Sequence, residues 1–391
     1  MFSITTFDEL LKGLPRATFK RVVERHNADK YCKHFTHWNH LIVMLYAQLS
    51  GTTGLRPLQA AFNSQASAHH HLNVEPIKRA TLADANEKRS DVVFAEIASW
   101  LMGQADRSVR REGKELLYLL DSTSVTLKGQ QFDRWTAENK TRNTQGIKLH
   151  MLIDAANQAP AWSSFSAANV NDVELARSVP LVKDALYVCD RGYCDYNWWH
   201  QIDSTGARFV TRFKSNAGLT VVEERPIGID EADTIISDCL VQLKSKQASG
   251  GRKNLYRHAL RRVTVMRADK ETPLVLATND LTSTASDIAR RYKDRWAIEL
   301  FFKWIKQHLR ITKFLGRSEN AVRIQILTAL ISYLLVVLYK QRHALTASLW
   351  ECLYVISATL FQRIETKEAR ARRWRRAEEA AFLAKMQPCL C

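Results

Sequence analysis

An α/β fold built on one mixed sheet is what this 391-residue chain predicts, and three observations carry that reading. Three strand-like segments, 116–120, 147–153 and 161–165, follow one another, the last two joined by a turn at Asp154-Ala155-Ala156-Asn157. Two more, 186–189 and 208–212, then alternate with helical segments at 173–184 and 196–204. A long two-faced helix at 291–308 follows later. Three strands in a meander followed by alternating helix and strand is the pattern of a mixed sheet flanked by helices.

Ahead of the sheet, residues 1 to about 110 read as mainly helical, with candidate helices at 7–14, 36–48, 58–62, 81–88 and 91–102. Gly51-Thr52-Thr53-Gly54 interrupts the pattern, and Pro57 sits where a first helical turn tolerates it. Segment 56–89 can hold a helix-turn-helix-like unit whose Lys78, Arg79, Thr81, Asn86, Lys88 and Arg89 reach phosphates or base edges. An ordinary solvated helix face is the competing reading. His34, His37 and His40, spaced three apart beside Phe35 and Trp38, read as a half-buried aromatic helix face rather than a ligand set. His69-His70-His71, in a polar stretch, reads as an exposed loop.

The chemistry-bearing residues come next. The apolar run 116–120 stops abruptly at Asp121-Ser122-Thr123, and 185–189 stops in the same way at Asp190-Arg191-Gly192-Tyr193. Both read as buried strands carrying an acid at the carboxyl end, where open α/β sheets place their sites. A lone strand-end Asp is more often a turn former or helix cap. In the helix at 291–308, at about 100° per residue, Tyr292, Arg295, Glu299 and Lys306 form one polar stripe, while Ile298, Phe301, Phe302, Ile305 and Leu309 form the buried arc beside it. Arg295 and Glu299 can also be a plain i,i+4 ion pair. Taken together, two strand-end aspartates and a helical glutamate make a metal cage, with cations above and below it to take phosphate oxygens. An all-carboxylate cage favours Mg²⁺ or Mn²⁺ over zinc.

At these residues the chain resembles the DDE transposases of bacterial insertion sequences, specifically the insertion-sequence-four family. Its signature, Tyr-x2-Arg-x3-Glu-x6-Lys, is matched in every spacing by Tyr292, Arg295, Glu299 and Lys306. Asp121-x-Thr123, Asp190-Arg191-Gly192-Tyr193 and the following Arg208-Phe209-Val210-Thr211-Arg212 are similar to the contexts of that family's first two acids. The resemblance spans roughly residues 115–312. It implies a ribonuclease-H-like catalytic domain with Asp121, Asp190 and Glu299 as catalytic residues and as ligands of two Mg²⁺ ions, Mn²⁺ being able to substitute. It implies DNA contacts from Tyr292, Arg295 and Lys306. The activity implied is cut-and-paste transposition: metal-dependent cleavage at the element's ends, strand transfer into target DNA, a hairpin intermediate, and a homodimer pairing the ends in a synaptic complex. One departure stands out. Relatives place a tryptophan, in the insertion before the third acid, against a flipped base, and here no Trp lies between Trp199 and Trp296.

The domain organisation expected is a helical DNA-binding region at 1–110, a catalytic domain at 111–213 and 281–345 interrupted by a β-rich insertion at 214–280, and a helical basic C-terminal region at 346–391. In the insertion, 219–223, 258–266 and 274–277 read as strands, and Lys244, Lys246, Arg252, Lys253, Arg257, Arg261 and Arg262 can track DNA. Residues 370–376 are a cationic run. With 57 Lys and Arg against 40 Asp and Glu, the net charge of +17 suits a polyanionic partner. The resemblance implies that this partner is double-stranded DNA, as terminal inverted repeats and as target. The apolar stretch 324–339 contains Gln325, Thr328 and Ser332 and is short for a span, so it reads as a core helix and no membrane is expected. The first six residues lack a signal-peptide pattern, and the seven cysteines, Cys189, Cys194, Cys389 and Cys391 among them, form no convincing zinc set. These features suit a cytoplasm with reduced thiols, and the resemblance implies a bacterial one, with the protein at the nucleoid through DNA. A ribonuclease-H-like nuclease or resolvase would use the same acids without strand transfer; a non-catalytic DNA-binding repressor is a rival of a different class, and the intact Asp121, Asp190 and Glu299 argue against it.

Overall fold

The computed structural model describes residues 4–111, 116–139, 144–244, 253–267, 270–309, 311, 313–364 and 375. The N-terminal part is helical: α1 (Thr6–Leu11), α2 (Arg16–Arg25), α3 (His37–Ser50), α4 (Leu55–Asn63), α5 (His69–Leu72), α6 (Arg79–Lys88) and α7 (Val92–Arg111). Local chemistry sets several of these boundaries. Thr5 and Thr36 cap α1 and α3 by accepting the backbone N–H of Asp8 and Asn39, and α3 stops at Gly51 in the left-handed region. Sequence patterning missed α2, whose buried Phe19, Val22 and Val23 form a narrow stripe among charges. It also mistook the histidine triplet, which is α5, with His69 buried and bonded to the Phe62 carbonyl. His37 pairs with Asp29 and His40 is buried against Asn86, so both histidines serve the helix packing expected of them.

The strands are β1 (Leu117–Thr126), β2 (Ala137–Asn139), β3 (Thr144–Asp154), β4 (Pro160–Ala167), β5 (Leu186–Cys189), β6 (Arg208–Arg212), β7 (Leu219–Glu224), β8 (Ile235–Leu243), β9 (Leu260–Arg267) and β10 (Lys270–Thr278). Among the described residues they form a single sheet in the order β2-β3-β1-β5-β6-β10-β9-β8-β7, with β4 also on β3. The expected meander is present, and the first and fourth expected strands are parallel neighbours, Leu117–Leu120 pairing with Leu186–Cys189. The strands of segment 214–280 continue the same sheet, joined to it by the antiparallel pairing of β10 with β6. Gly146 (φ 146°) lets β3 close on β1, because a Cβ there would lie 2.0 Å from the Val125 carbonyl oxygen.

The remaining helices are α8 (Gln130–Asp133), α9 (Asp172–Ala176), α10 (Tyr196–Ser204), α11 (Ala285–Asp294), α12 (Trp296–His308), α13 (Glu319–Arg342) and α14 (Leu349–Thr359). The helix expected over 173–184 is only α9. Pro180 disfavours a helical Val179 and offers no N–H, and the chain beyond is held instead by the Tyr187 hydroxyl, which takes the Val182 N–H and donates to the Pro180 carbonyl.

Strand alternation divides the core into two layers. Leu119, Leu149, Met151 and Val188 face one side with the N-terminal helices, α12 and α13, while Tyr118, Leu120, Tyr187 and Phe209 face the other with Trp198 and Trp199 of α10. The helix α13 is long and apolar enough to cross a membrane, yet 89% of its most apolar window is buried in protein. The polar residues of its apolar stretch are satisfied: Thr328 and Ser332 bond back one turn, and Gln325 bridges Lys313 and Leu315.

Candidate active site

Asp121 and Asp190 meet where the parallel pairing of β1 and β5 runs out. Leu120 pairs with Cys189 in the last rung, and β5 then leaves the sheet at Asp190. The strand β1 does not stop there, as its apolar run suggested. Antiparallel pairing with β3 carries it from Asp121 opposite Met151 to Thr126 opposite Gly146. Asp121 is therefore a mid-strand acid whose β5 side has opened into a crevice, a correction to its expected place at a strand end. Its Oδ1 accepts the backbone N–H of Ser122 at 2.8 Å. Asp190 begins a tight turn closed by the Tyr193 N–H to the Asp190 carbonyl, a carbonyl that also accepts from the Thr211 hydroxyl.

The two-faced helix brings the rest, with one correction. It is two helices, α11 and α12, that meet at Arg295. There the Arg295 N–H reaches only back to Tyr292, and Ile298 only back to Arg295, a tightened turn with Arg295 still in helical geometry. The polar stripe survives that turn. Tyr292 Oη donates to Asp190 Oδ1 at 3.3 Å. Arg295 sends one guanidinium nitrogen to Asp121 Oδ2 at 3.6 Å and the other to Glu299 Oε1 at 2.6 Å. Its guanidinium also lies 5.7 Å from the centre of the Tyr292 ring. Lys306 is half-buried and stands apart, roughly 10 Å along the helix from Glu299 at about 1.5 Å per residue. Burial lowers its pKa. Arg212, whose strand was anticipated but whose role was not, has a guanidinium nitrogen 3.9 Å from Asp190 Oδ1.

The electrostatics of the cluster follow from its depth. Burial pushes the Asp121 carboxyl from an ordinary 3.8 up to about 6; Asp190 and Glu299 add to the rise, while the Ser122 N–H and Arg295 oppose it. Burial works against the Arg295 cation, but Tyr292, Glu299 and Asp190 outweigh it and raise its pKa. Burial also pushes the Tyr292 phenol up to about 12, so it is a hydrogen-bond donor at neutral pH.

The raised Asp121 pKa makes a stability prediction. Between about pH 4 and pH 6 the metal-free folded chain keeps a proton that the unfolded chain has lost, so Asp121 subtracts stability as pH rises through that window. Urea unfolding should show Asp121→Asn gaining on the parent across this range, by about 2–3 kcal/mol at most. Parallel pH curves for the two proteins would show that the carboxyl titrates normally.

Arg295 stands between the acids. Among the described residues, no three His, Cys, Asp or Glu side chains are spaced to hold a metal ion. The donor chemistry nonetheless suits a hard divalent cation: the groups are all carboxylate oxygens, and a cationic side chain now bridges two of them. Of the six residues singled out from sequence, five meet in one network and Lys306 does not.

Elsewhere the expected DNA-contacting residues divide. Lys78, Arg79, Thr81 and Lys88 are exposed, whereas Asn86 is buried on His40 and Arg89 donates to the carbonyls of Phe35 and Thr36. Arg261 is buried in a two-pronged pair with Asp238, at 2.8 and 2.6 Å, so it cannot track DNA. Lys246, Arg252, Cys389, Cys391 and, apart from Arg375, the cationic run 370–376 lie outside the described residues.

Comparison with known proteins adds a family to this geometry. Residues 112–335 match the family model described as "Transposase DDE domain", and residues 3–74 match a domain of unknown function (DUF4372). The chain is 42% identical over 284 residues, 72% of its length and 77% of the relative's, to a Sinorhizobium fredii protein named "Putative transposase y4zB". It is 27% identical over 286 residues, 71% of its length and 73% of the relative's, to the "Probable transposase for insertion sequence element IS5377" of Geobacillus stearothermophilus. Among solved structures, the piggyBac transposase in a synaptic complex with hairpin DNA matches with a TM-score of 0.39 at 12% identity, over 63% of this chain and 52% of that one.

Proposed function

Because this chain belongs to the DDE transposase family, we propose that Asp121, Asp190 and Glu299 are its catalytic acids and hold two Mg²⁺ ions, with Mn²⁺ able to substitute. The enzyme cleaves DNA at the ends of an insertion sequence and joins those ends to target DNA. One observation supports the residue assignment above all: two strands and a helix far apart in sequence deliver three acids to a single network tied by Tyr292 and Arg295. A ribonuclease-H-like core agrees with the pairing of β1 beside β5 and with the acids' position where that pairing ends.

When bound, the metal pair would activate the attacking oxygen and stabilise the leaving one. Water attacks the phosphodiester phosphorus and the bond to the 3′ oxygen breaks; the freed 3′-hydroxyl then attacks a second phosphodiester in the target, whose own phosphorus–3′-oxygen bond breaks as the new ester forms. The side chains supply positioning. Arg295 leaves the acids to neutralise a phosphate oxygen, Tyr292 keeps Asp190 oriented, and Lys306, about two turns beyond Glu299, takes the backbone of the flanking nucleotides. Full-length protein with a radiolabelled terminal-repeat duplex and with precut ends tests the function: Mg²⁺-dependent nicking and joining are expected. Nicking without joining would mark a nuclease or resolvase instead.

Recognition of the ends is assigned to the N-terminal helices, and paired ends to a homodimer. Removing residues 1–110 would not test this cleanly, since α13 packs on α3, α6 and α7. The exposed Lys78 and Arg79 allow a gentler test. Replacing both with Ala should reduce the slope of log affinity against log salt by about 2 and narrow the preference for element ends over random duplex. An unchanged slope would move the reader to another surface.

A further inference from the structure

On the face of the sheet opposite Arg295 lies a buried polar group that the chemistry above leaves unused. Lys148, on β3, is 3% exposed. Its Nζ donates to Asp172 Oδ1 at 3.0 Å and to the Val170 carbonyl at 2.6 Å. Ser122 Oγ donates to the same Asp172 oxygen at 3.0 Å, while the Ser122 backbone N–H donates to Asp121 Oδ1 at 2.8 Å. His150 completes the layer, with Nε2 on Ser166 Oγ at 2.7 Å and Nδ1 4.0 Å from Asp172 Oδ1. The second Asp172 oxygen faces Gly192 in the turn that Asp190 begins, and Asp172 and Asp190 line one cleft of about 660 Å³.

Stability does not account for such a pair. A buried Lys–Asp bridge is commonly no better than apolar side chains of the same volume, because both ions lose their hydration. Its placement gives it another use. Ser122 is held at both ends, by its hydroxyl on Asp172 and by its N–H on Asp121, and strand alternation turns the Ser122 and Asp121 side chains to opposite faces.

We propose that Asp172, neutralised and oriented by Lys148, is a positioning residue for Asp121: it fixes Ser122, whose N–H aims one carboxylate oxygen and leaves Oδ2 toward the acid cluster. The inference rests on Asp121 being a metal ligand. A carboxylate allowed to rotate spends less of its time aimed at the cation, so binding and turnover fall together while the DNA surface is untouched.

The test uses the full chain and four variants: Ser122→Ala, Ser122→Thr, Asp172→Asn and, as a reference, Asp121→Asn. Mn²⁺ binding without DNA is read by electron paramagnetic resonance, and kcat and KM are measured on a terminal-repeat duplex. Ser122→Ala and Asp172→Asn should each weaken Mn²⁺ binding and lower kcat by about tenfold, with KM for DNA unchanged. Ser122→Thr should restore both by keeping the hydroxyl. If Ser122→Ala binds Mn²⁺ and turns over like the parent while Asp121→Asn is inactive, the relay is wrong and the active-site assignment stands. Failure of Ser122→Thr to restore what Ser122→Ala loses also overturns the relay. An Asp121→Asn protein that binds Mn²⁺ and cleaves normally overturns the assignment itself. Should Asp172→Asn fail to fold, the Ser122 pair still decides.

Discussion

Glu299→Gln should leave a protein that binds terminal-repeat DNA with parental affinity yet has lost cleavage and strand transfer by about a thousandfold or more. The side chain lies in the first turn of α12, about one third exposed, and accepts from Arg295. Gln is nearly isosteric, is as good a helix former, and can still accept that hydrogen bond. What it removes is one of three negative charges, the quantity that holds divalent cations and offsets their repulsion. DNA binding depends on cations spread over a chain of net charge +17, and the loss of a carboxylate only lessens repulsion from phosphate. Gel shift, thermal melting and cleavage should therefore part company. Near-parental cleavage by a folded Glu299→Gln protein would remove this helix from the active site.

Arg295→Ala carries the second large effect, and its sign differs between two measurements. Cleavage should fall by about 10²–10³, the usual scale for losing one preorganised charge partner of a transition state. Metal binding without DNA should strengthen instead. The guanidinium now bridging Asp121 and Glu299 competes with any cation for those oxygens, and Ala leaves them facing each other unneutralised. The metal-free variant should melt lower than the parent at neutral pH, and Mn²⁺ should raise its melting temperature more than it raises the parent's. If Mn²⁺ stabilises both proteins equally and cleavage falls only in step with stability, Arg295 is a helix-pairing residue and nothing more.

Much of this arrangement was legible because local chemistry and tertiary structure agree. The strand β5 ends where its apolar run does, and β6 occupies the 208–212 expected of it, its buried Phe209-Val210-Thr211 centre flanked by Arg208 and Arg212. Asp190 follows β5 as expected. Asp121 was found but misplaced: pairing with β3 keeps β1 extended well past its apolar run, and Ser122, Thr123 and Ser124 carry no periodic signal for that. The tightened turn at Arg295 was likewise hidden, because the stripe it interrupts keeps its helical spacing on both sides.

The missing pieces have a common cause. Asp172, Lys148 and Ser122 are separated by 24 and 50 residues from their partners and meet only across the sheet. One trace was visible: Lys148 and His150 put two ionisable groups at alternate positions of an otherwise apolar strand, which is costly unless each is satisfied. In segment 214–280 the basic count said nothing about which cations face water, and burial of Arg261 on Asp238 shows how composition misleads there. The strand β8 escaped notice because Ser237 and Asp238 break its apolar run, and Asp238 is there to receive Arg261.

That Asp121, Asp190 and Glu299 are metal ligands can be checked by anomalous scattering from crystals soaked in Mn²⁺. Data collected at the manganese edge should show density bonded to carboxylate oxygens of all three residues, with the Arg295 guanidinium withdrawn from between Asp121 and Glu299. Manganese density touching none of the three, in protein that still cleaves DNA in Mn²⁺, would contradict the claim outright.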